Sequence, residues 1–308
     1  MLAVAEAQQD RWHRALSAAL AEAGVDAAIV RPGADPAEVE FLVYAPNGPV
    51  DDFSVFPRLR AVLSTWAGVE RVVNNPTLRV PLTRMVDPGL TQGMTEYVLG
   101  HVLRFHLGTD RIEAEQDGIW RGAERIPPLA GERRVGVLGL GALGAAAARA
   151  LAGLGFEVHG WARRPRELPG VRVHHGAAGL DAVLERAEIL VLLLPHTPQT
   201  ENILDARAIA RLPAGATVIN PGRGALIDDE ALLAALDSGH LRGAVLDVFR
   251  TEPLPPDHPF WRHPRVLVTP HVAADTRPES AARVIAENIR RFLAGEPPLH
   301  LVDRAAGY

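Results

Sequence analysis

The stretch Arg133-Arg-Val-Gly-Val-Leu-Gly-Leu-Gly-Ala-Leu-Gly144 decides the fold of this chain. It places Gly139, Gly141 and Gly144 in the spacing G-x-G-x-x-G, between an apolar run typical of a strand and an alanine-rich run typical of a helix. In this pattern the first glycine permits a tight turn, the second lets a pyrophosphate approach the backbone, and the third lets the helix pack closely on the strand. The helix N-terminus adds N–H donors and the positive end of its dipole. The stretch therefore predicts a dinucleotide-binding site.

The end of the second predicted strand indicates which dinucleotide is bound. Enzymes that use NAD usually carry Asp or Glu there, about 20 residues past the glycines, and bind the 2′-hydroxyl of the ribose with it. This chain has Ala162 at that position, followed by Arg163 and Arg164. Two guanidinium groups without a carboxylate suit a 2′-phosphate, which they bind by charge-assisted hydrogen bonds. We therefore expect NADP as cofactor, with NADPH preferred over NADH, unless these arginines only belong to a solvated loop.

The residues around the glycine-rich stretch alternate short β-branched runs with helical stretches. Strands are predicted over residues 134–140, 157–161, 171–174, 188–194, 217–220, 243–249 and 266–269. Helices are predicted over residues 142–153, 179–187, 204–211 and 229–238. Near-continuous apolar strands such as 189–194 suit a parallel sheet that is covered on both faces. The alternation predicts an α/β fold with a doubly wound parallel sheet.

A smaller and less regular α/β pattern precedes this region. Its strands are predicted near residues 27–31, 41–44 and 61–64. Two long helices, predicted from about residue 95 to 107 and from about 278 to 293, would join two domains. We therefore expect a dinucleotide-binding domain of residues 99–279, inserted into a discontinuous substrate domain of residues 1–98 and 280–308. The cleft between two such domains is the expected site.

The composition excludes several classes of protein. The 308 residues contain no cysteine, and all 32 basic residues are arginine. This excludes disulfides, thiolate catalysis, cysteine metal sites, Schiff-base lysines and Walker-type phosphate loops. A net charge of −5 without a basic cluster argues against nucleic acid as a partner. No apolar run reaches the roughly 18 residues that span a bilayer, and the first residues lack a secretory pattern, so we expect no membrane association and a cytoplasmic location.

Three downstream segments each place a polar residue just past an apolar strand, where doubly wound sheets bind their ligands. The segments are Asn220-Pro-Gly-Arg223, Asp247-Val-Phe-Arg-Thr-Glu252 and Val268-Thr-Pro-His271. Ketone reduction requires a cation that holds a carboxylate and polarises the carbonyl, and an acid that donates a proton. A carboxylate beside that acid keeps it protonated near neutral pH. We therefore predict Arg223, Glu252 and His271 as the catalytic residues, and we expect no metal site.

These segments resemble those of the D-isomer-specific 2-hydroxyacid dehydrogenases, and the resemblance covers essentially the whole chain. Three further stretches resemble the glyoxylate/hydroxypyruvate reductase A branch, namely Leu233-Ala-Ala-Leu-Asp-Ser-Gly239, Pro259-Phe-Trp-Arg-His-Pro264 and Val302-Asp-Arg-Ala-Ala-Gly-Tyr308. The resemblance implies two Rossmann-like domains, with the doubly wound nucleotide domain inserted into a smaller flavodoxin-like substrate domain. In that branch a basic stretch also replaces the acidic ribose position. The implied activity is NADPH-dependent reduction of a small 2-keto acid, of the glyoxylate or hydroxypyruvate type, by a homodimer.

The resemblance also assigns roles to individual residues. Arg223 would bind the carboxylate and keto oxygen of the substrate, while Glu252 pairs with His271, the proton donor. The implied cofactor-binding residues are Gly139, Gly141, Ala142, Leu143, Gly144, Arg163, Arg164, Pro195 and Asp247. The implied substrate-binding residues besides Arg223 are Tyr44 and, through their backbone amides, Ala67 and Gly68. Two of these assignments have structural alternatives, since Asp247 could be a hydrogen-bonded core residue and Tyr44 could belong to the core.

Two departures from the family and two other functions remain open. Pro221-Gly222 stands where the family usually has alanine before the catalytic arginine, and Glu70 replaces the usual aspartate.

One alternative function is a nucleotide-sensing binding protein like the corepressors that share this fold, although no partner-docking tail is apparent. Another is an oxidising relative of the formate or phosphite dehydrogenase type. Those enzymes favour NAD and carry pocket residues that we do not find here.

Overall fold

The computed structural model describes all 308 residues, and the chain divides into two compact units. Unit 1 comprises Met1–Leu90 and Asp275–Tyr308, and unit 2 comprises Thr91–Ala274. Each unit contains its own parallel sheet. None of the helices combines the length and the apolar composition needed to cross a membrane. The predicted α/β fold class is confirmed.

The strands and helices are as follows in chain order. The strands are β1 (Leu2–Ala3), β2 (Phe41–Tyr44), β3 (Ala61–Ser64), β4 (Leu82–Thr83), β5 (Arg134–Leu138), β6 (Glu157–Ala162), β7 (Arg172–His175), β8 (Ile189–Leu192), β9 (Ala216–Asn220), β10 (Leu241–Leu246) and β11 (Val266–Val268). The helices are α1 (Gln9–Glu22), α2 (Pro88–Leu107), α3 (Thr109–Ala114), α4 (Ala142–Gly153), α5 (Gly176–Leu184), α6 (Ala206–Ile209), α7 (Asp229–Asp237) and α8 (Pro278–Ala294).

Unit 1 is built on a four-stranded sheet in the order β1-β2-β3-β4. All neighbouring strands are parallel, so their carboxyl ends lie along one edge. Helices α1 and α8 pack against each other, and Arg11 binds both carboxylate oxygens of Glu279 at 2.8 Å. The strands predicted over 41–44 and 61–64 are confirmed.

Two expectations for this region are wrong. No strand forms near residues 27–31, where Val30 only accepts one hydrogen bond from Leu2, and Pro32 has no N–H to extend a ladder. The long helix α2 starts at Pro88 rather than near residue 95. The Asp87 carboxylate accepts hydrogen bonds from the first free N–H groups of the helix, at 2.9 and 3.3 Å, and so caps it.

Unit 2 is built on a seven-stranded parallel sheet in the order β11-β10-β9-β8-β5-β6-β7. The strand order reverses between β5 and β8, because the chain runs outward from β5 through β6 to β7 and then returns to the other side. The central strands β8 and β9 are buried along their whole length, as a sheet covered on both faces requires. Ligands of such sheets bind at the carboxyl ends of the strands near this reversal.

Local sequence signals account for the two helices that border this edge. Helix α4 begins directly after Gly141 and has the predicted bounds, because an alanine-rich segment favours helix. Helix α7 begins after Asp228, whose carboxylate accepts hydrogen bonds from Glu230 and Ala231 at 3.1 and 3.2 Å. Asp228 is therefore the N-cap of this helix.

The glycine turn offers a matched pair of substitutions. A Cβ on Gly144 would lie 1.8 Å from the carbonyl oxygen of Gly139, whereas a Cβ on Gly141 would meet no atom within 4 Å. We expect Gly144→Ala to lower the free energy of unfolding by about 3 kcal/mol, since the backbone has to move. Gly141→Ala should cost at most about 1 kcal/mol, because only the cap preference changes. Equal losses in urea unfolding would contradict this account.

Candidate active site

The glycine-rich turn joins β5 to α4 beside the strand reversal. Gly139 has a φ of +101°, and a Cβ there would lie 2.5 Å from the carbonyl oxygen of Leu193, so this position requires glycine. The space above Gly141 is open. Ala142 and Leu143 form the first turn of α4, where the N–H groups have no partner within the helix. An open backbone surface at a helix N-terminus fits the pyrophosphate of a dinucleotide.

The loop after β6 lies next to this turn, since Gly139 donates a hydrogen bond to Trp161 at 3.0 Å. Arg163 and Arg164 are both exposed and directly follow the strand. Arg166, which the sequence analysis did not select, donates to the carbonyl oxygen of Leu140 inside the glycine turn. The guanidinium groups expected at the ribose therefore stand at the carboxyl end of the strand next to the glycine turn.

Pro195 lies in the loop after β8, on the other side of the strand reversal. Its carbonyl oxygen accepts a hydrogen bond from the hydroxyl of Thr200 at 2.7 Å. The same hydroxyl oxygen accepts from the N–H of Thr197 at 2.8 Å. Hydrogen bonds among its own residues thus hold this loop together. The loop follows β8, the neighbour of β5, and so lies at the same edge of the sheet as the glycine turn.

Glu252 and His271 are in direct contact. Glu252 follows β10 and His271 follows β11, and these strands are neighbours in the sheet. His271 Nδ1 lies 2.8 Å from Glu252 Oε2, and the other carboxylate oxygen accepts the N–H of Phe249 at 2.9 Å. A carboxylate that accepts the Nδ1 proton fixes the tautomer and the orientation of the ring. His271 Nε2 makes no hydrogen bond, and half of the side chain is exposed, so this nitrogen can donate a proton to a ligand.

Asp247 holds the loop that carries His271. Its side chain is fully buried, and its Oδ1 accepts from the Thr269 hydroxyl at 2.6 Å and from the Val272 N–H at 2.9 Å. Oδ2 accepts from the Ala273 N–H at 2.9 Å, and the Asp247 carbonyl oxygen accepts from the His271 N–H at 2.8 Å. Both carboxylate oxygens are therefore already engaged within the chain. Contact of Asp247 with a nicotinamide carboxamide stays a prediction.

The hydrogen-bond chain continues beyond Thr269 to Tyr97 on α2. The two hydroxyl oxygens lie 2.7 Å apart. Because the single hydroxyl proton of Thr269 goes to Asp247, the Tyr97 hydroxyl must be the donor in this pair. Burial raises the pKa of Tyr97, which keeps the phenol protonated. The sequence did not single out Tyr97 or Thr269, since nothing local links residues so far apart.

Arg223 follows β9, the neighbour of β10, so Arg223, Glu252 and His271 come after three adjacent strands. Arg223 is half-buried, and its Nη1 donates to the carbonyl oxygen of Gly222 at 2.6 Å. Asn220 holds the turn, with its amide accepting from the Gly222 N–H at 3.1 Å and donating to the Arg223 carbonyl oxygen at 2.9 Å. A Cβ at Gly222 would lie 2.8 Å from the carbonyl oxygen of Leu192. The unusual Pro221-Gly222 pair is thus part of a closely packed turn.

Arg250 connects the loops that carry these residues and is a further residue that the sequence does not single out. It lies two residues before Glu252 and donates to the carbonyl oxygen of Ile227, which follows Arg223 in the chain. Its other nitrogen lies 3.0 Å from Glu201 in the loop after β8. One guanidinium therefore links the loops after β8, β9 and β10.

The predicted substrate residues of unit 1 follow its own strands. Tyr44 ends β2 and is buried, with its ring edge-on to Phe53 at a centroid distance of 5.4 Å, so the core alternative fits its ring. Burial raises the pKa of Tyr44. Ala67 and Gly68 lie in the loop after β3, and neither N–H group donates a hydrogen bond within the chain. These two groups are available to an acceptor, whereas the Tyr44 ring packs in the core of the unit.

Comparison with known proteins identifies the family. The family model for the NAD-binding domain of D-isomer-specific 2-hydroxyacid dehydrogenases matches residues 96–273. The chain belongs to the D-isomer-specific 2-hydroxyacid dehydrogenase family. Within that family it is similar to glyoxylate/hydroxypyruvate reductase A of Serratia proteamaculans (strain 568), with 40% identity over 307 residues that cover 97% of this chain and 96% of the relative. The protein is thus an NAD(P)-dependent oxidoreductase.

Two solved structures of the family extend this likeness over nearly the whole chain. A D-isomer-specific 2-hydroxyacid dehydrogenase from Xanthobacter autotrophicus Py2, in complex with NADPH and MES, is 44% identical with a TM-score of 0.93, and the match covers 100% of this chain and 98% of that one. An NADPH-dependent glyoxylate/hydroxypyruvate reductase from Sinorhizobium meliloti, in complex with NADP and sulfate, is 40% identical with a TM-score of 0.86, and the match covers 96% of each chain.

Proposed function

We propose that this dehydrogenase is an NADPH-dependent reductase of small 2-keto acids, of the glyoxylate or hydroxypyruvate type. The observation that carries the proposal is the contact between His271 Nδ1 and Glu252 Oε2 at 2.8 Å, with His271 Nε2 left open. Arg223, on the neighbouring strand end, supplies the cation that a 2-keto carboxylate requires. The relatives named as glyoxylate/hydroxypyruvate reductases support this class of substrate.

In this mechanism the chain binds, orients and protonates the substrate. Bound NADPH would supply the hydride that reduces the carbonyl carbon. Arg223 binds the carboxylate and polarises the keto oxygen. His271 gives the Nε2 proton to that oxygen, and Glu252 stabilises the imidazolium before the transfer. Asp247 keeps His271 in place through the backbone of its loop.

The residues of unit 2 would hold the cofactor. The turn from Gly139 to Gly144 and the start of α4 would bind the pyrophosphate, because the open space over Gly141 leaves backbone accessible. Arg163 and Arg164 would bind the 2′-phosphate, because no carboxylate stands at Ala162 to repel it. Pro195 and Asp247 would lie against the nicotinamide half. The relatives solved with NADPH and with NADP support the same choice of cofactor.

Unit 1 would supply the substrate domain. The N–H groups of Ala67 and Gly68 would bind the substrate carboxylate, since both lack an acceptor within the chain. Tyr44 would contribute only a wall of the pocket, because its ring is packed against Phe53. We propose residues 99–279 as the dinucleotide domain and residues 1–98 and 280–308 as the substrate domain, and the compact units, with unit 2 at Thr91–Ala274, support a division of this kind.

We further propose that the protein is a homodimer. The segment 104–132 exposes large apolar side chains, among them Trp120 at 95%, Ile126 at 77% and Leu129 at 77% exposure. Large exposed apolar patches mark interaction sites, and these side chains come from one short segment of the chain. A second copy of the chain is the partner that family resemblance implies, and this segment would form the arm between subunits.

The reductase proposal is tested by following the absorbance of NADPH with glyoxylate, hydroxypyruvate and other short 2-keto acids. We expect turnover with at least one of them. His271→Ala should lower kcat about 10²- to 10⁴-fold, because the proton donor is removed. His175→Ala is the matched control, as this exposed histidine makes no side-chain hydrogen bond, and it should retain wild-type rates. No turnover with any keto acid would overturn the proposal, and an active His271→Ala variant would overturn the assigned role.

The cofactor preference is tested by replacing Arg163 and Arg164 together with alanine. We expect the KM for NADPH to rise about 10- to 100-fold and the KM for NADH to stay within about twofold, since only NADPH carries the 2′-phosphate. Arg149→Ala, on the exposed side of α4, serves as the control. Parallel changes for both cofactors would contradict a role in 2′-phosphate binding.

The oligomeric state is tested by light scattering. We expect a molar mass near twice the 33.1 kDa of the chain. Trp120→Ser should shift the protein towards the monomer, because the side chain would lose its apolar partner surface. Leu293→Ser, at an exposed leucine of α8, controls for the loss of an apolar side chain elsewhere. A monomeric wild-type protein would exclude the proposed dimer.

A further inference from the structure

Arg84 is a half-buried arginine whose side chain has no partner. It directly follows β4, at the carboxyl edge of the unit 1 sheet. Its only hydrogen bond comes from the backbone, where its N–H donates to the carbonyl oxygen of His300 at 3.1 Å. The guanidinium makes no ion pair and no hydrogen bond.

This lack of a partner sets Arg84 apart in a chain that uses arginine for all its fixed positive charge. Each of the other half-buried arginines has a partner within the chain, and the partners of Arg223 include the Gly222 carbonyl oxygen. The ion pairs are made by Arg104, Arg121, Arg125, Arg133, Arg211, Arg242, Arg290 and Arg291. Removing a charged group from water without a partner is unfavourable. A half-buried guanidinium without an acceptor therefore points to an anion that binds from solution.

The surroundings of Arg84 contain further donors and no compensating acid. Met85, the next residue, donates its N–H to the carbonyl oxygen of Trp66 at 2.9 Å. This bond places the start of the loop with Ala67 and Gly68 beside the chain at Arg84, and both N–H groups of that loop lack an acceptor. The backbone of Arg84 and the loop with two free N–H donors thus lie next to each other at the carboxyl edge of the unit 1 sheet.

No carboxylate compensates the charge of the Arg84 guanidinium. Burial lowers the pKa of the Arg84 guanidinium, and no carboxylate raises it again. Burial also lowers the pKa of the His300 ring, and the Arg84 charge lowers it further. His300 is therefore kept neutral by its own burial and by the neighbouring cation, and it does not supply the missing negative charge. A bound anion would compensate the guanidinium.

We propose that Arg84 binds the carboxylate of the substrate, together with the N–H groups of Ala67 and Gly68. This inference rests on the proposed reduction of small 2-keto acids. A planar guanidinium with two backbone donors matches the two oxygens of a carboxylate. Arg84 then acts as a specificity-determining residue of unit 1 that selects for an acid over an aldehyde or ester of the same size, and it takes no part in proton transfer.

The test uses Arg84→Gln, which breaks no hydrogen bond or ion pair of the side chain and should fold as the wild type does. We expect the KM for the keto acid to rise about 10- to 100-fold, with kcat and the KM for NADPH within about threefold of the wild type. The melting temperature should be unchanged or raised, because an unpaired charge is removed. Arg79→Gln is the matched control, an exposed arginine upstream in the same segment.

A binding measurement separates this inference from the proposed function. Titration of oxalate into the full-length protein saturated with NADP⁺ reports anion binding without turnover, and Arg84→Gln should weaken it about 10- to 100-fold. Arg84→Lys should retain part of the oxalate affinity, since lysine keeps the positive charge but lacks the planar pair of guanidinium donors. Unchanged oxalate affinity and an unchanged KM in Arg84→Gln would overturn the role of Arg84. Oxalate binding that depends on Arg84, in a protein that reduces no keto acid, would refute the proposed function and leave the anion site in place.

Discussion

The buried carboxylate of Asp247 is the constraint on which the candidate active site depends. A carboxylate without contact to water is unfavourable unless donors surround it, and here one hydroxyl and two backbone N–H groups do so. Two of those donors lie in the residues directly after His271, whose own backbone adopts a φ of +53°. A histidine in the left-handed region needs such external support. The charge of Asp247 thus fixes the position of His271 without touching its ring.

The arginines of this chain have different roles, some structural and some suited to ligand binding. Because the chain contains no lysine, every permanently charged basic side chain is an arginine, whose planar guanidinium carries several hydrogen-bond donors. Arg250 uses that fork to connect the loops after β8, β9 and β10, so that Arg223 and Glu252 keep their relative position. Arg84 differs from such structural arginines, since its side chain makes no hydrogen bond and no ion pair. A cation whose side chain has no acceptor within the chain, such as Arg84, is suited to hold an anionic ligand.

Sequence predicts those parts of this structure that rest on local rules. The helix over 142–153 has its predicted bounds, because Gly141 ends the turn and alanine favours helix. The cap at Asp228 follows from its place before an acidic helix start. The glycine spacing likewise predicts close packing at Gly144. In each case the deciding contacts lie within a few residues along the chain.

The features that the sequence does not predict depend mainly on contacts between residues far apart in the chain. Tyr97 and Thr269 are 172 positions apart, and only the packing of α2 on the sheet brings their hydroxyls together. Helix α2 begins earlier than the pattern predicts, because the Asp87 carboxylate caps it although Gly89 and Gly93 lower its helix propensity. Pattern alone likewise left open whether Tyr44 belongs to the core, and the burial of its ring decides that point.

The two units differ in how the hydrogen-bonding groups at the carboxyl edges of their sheets are satisfied. In unit 2 every catalytic candidate is held by backbone hydrogen bonds or by a buried partner, as Glu252 is by Phe249 and His271 is by Asp247. In unit 1 the free N–H groups of Ala67 and Gly68, with the guanidinium of Arg84, are left without internal partners. Rigid positioning suits a proton donor, whose distance to the reacting oxygen must be short. Unsatisfied donors suit a binding surface, because an incoming carboxylate then gains hydrogen bonds that the free protein lacks.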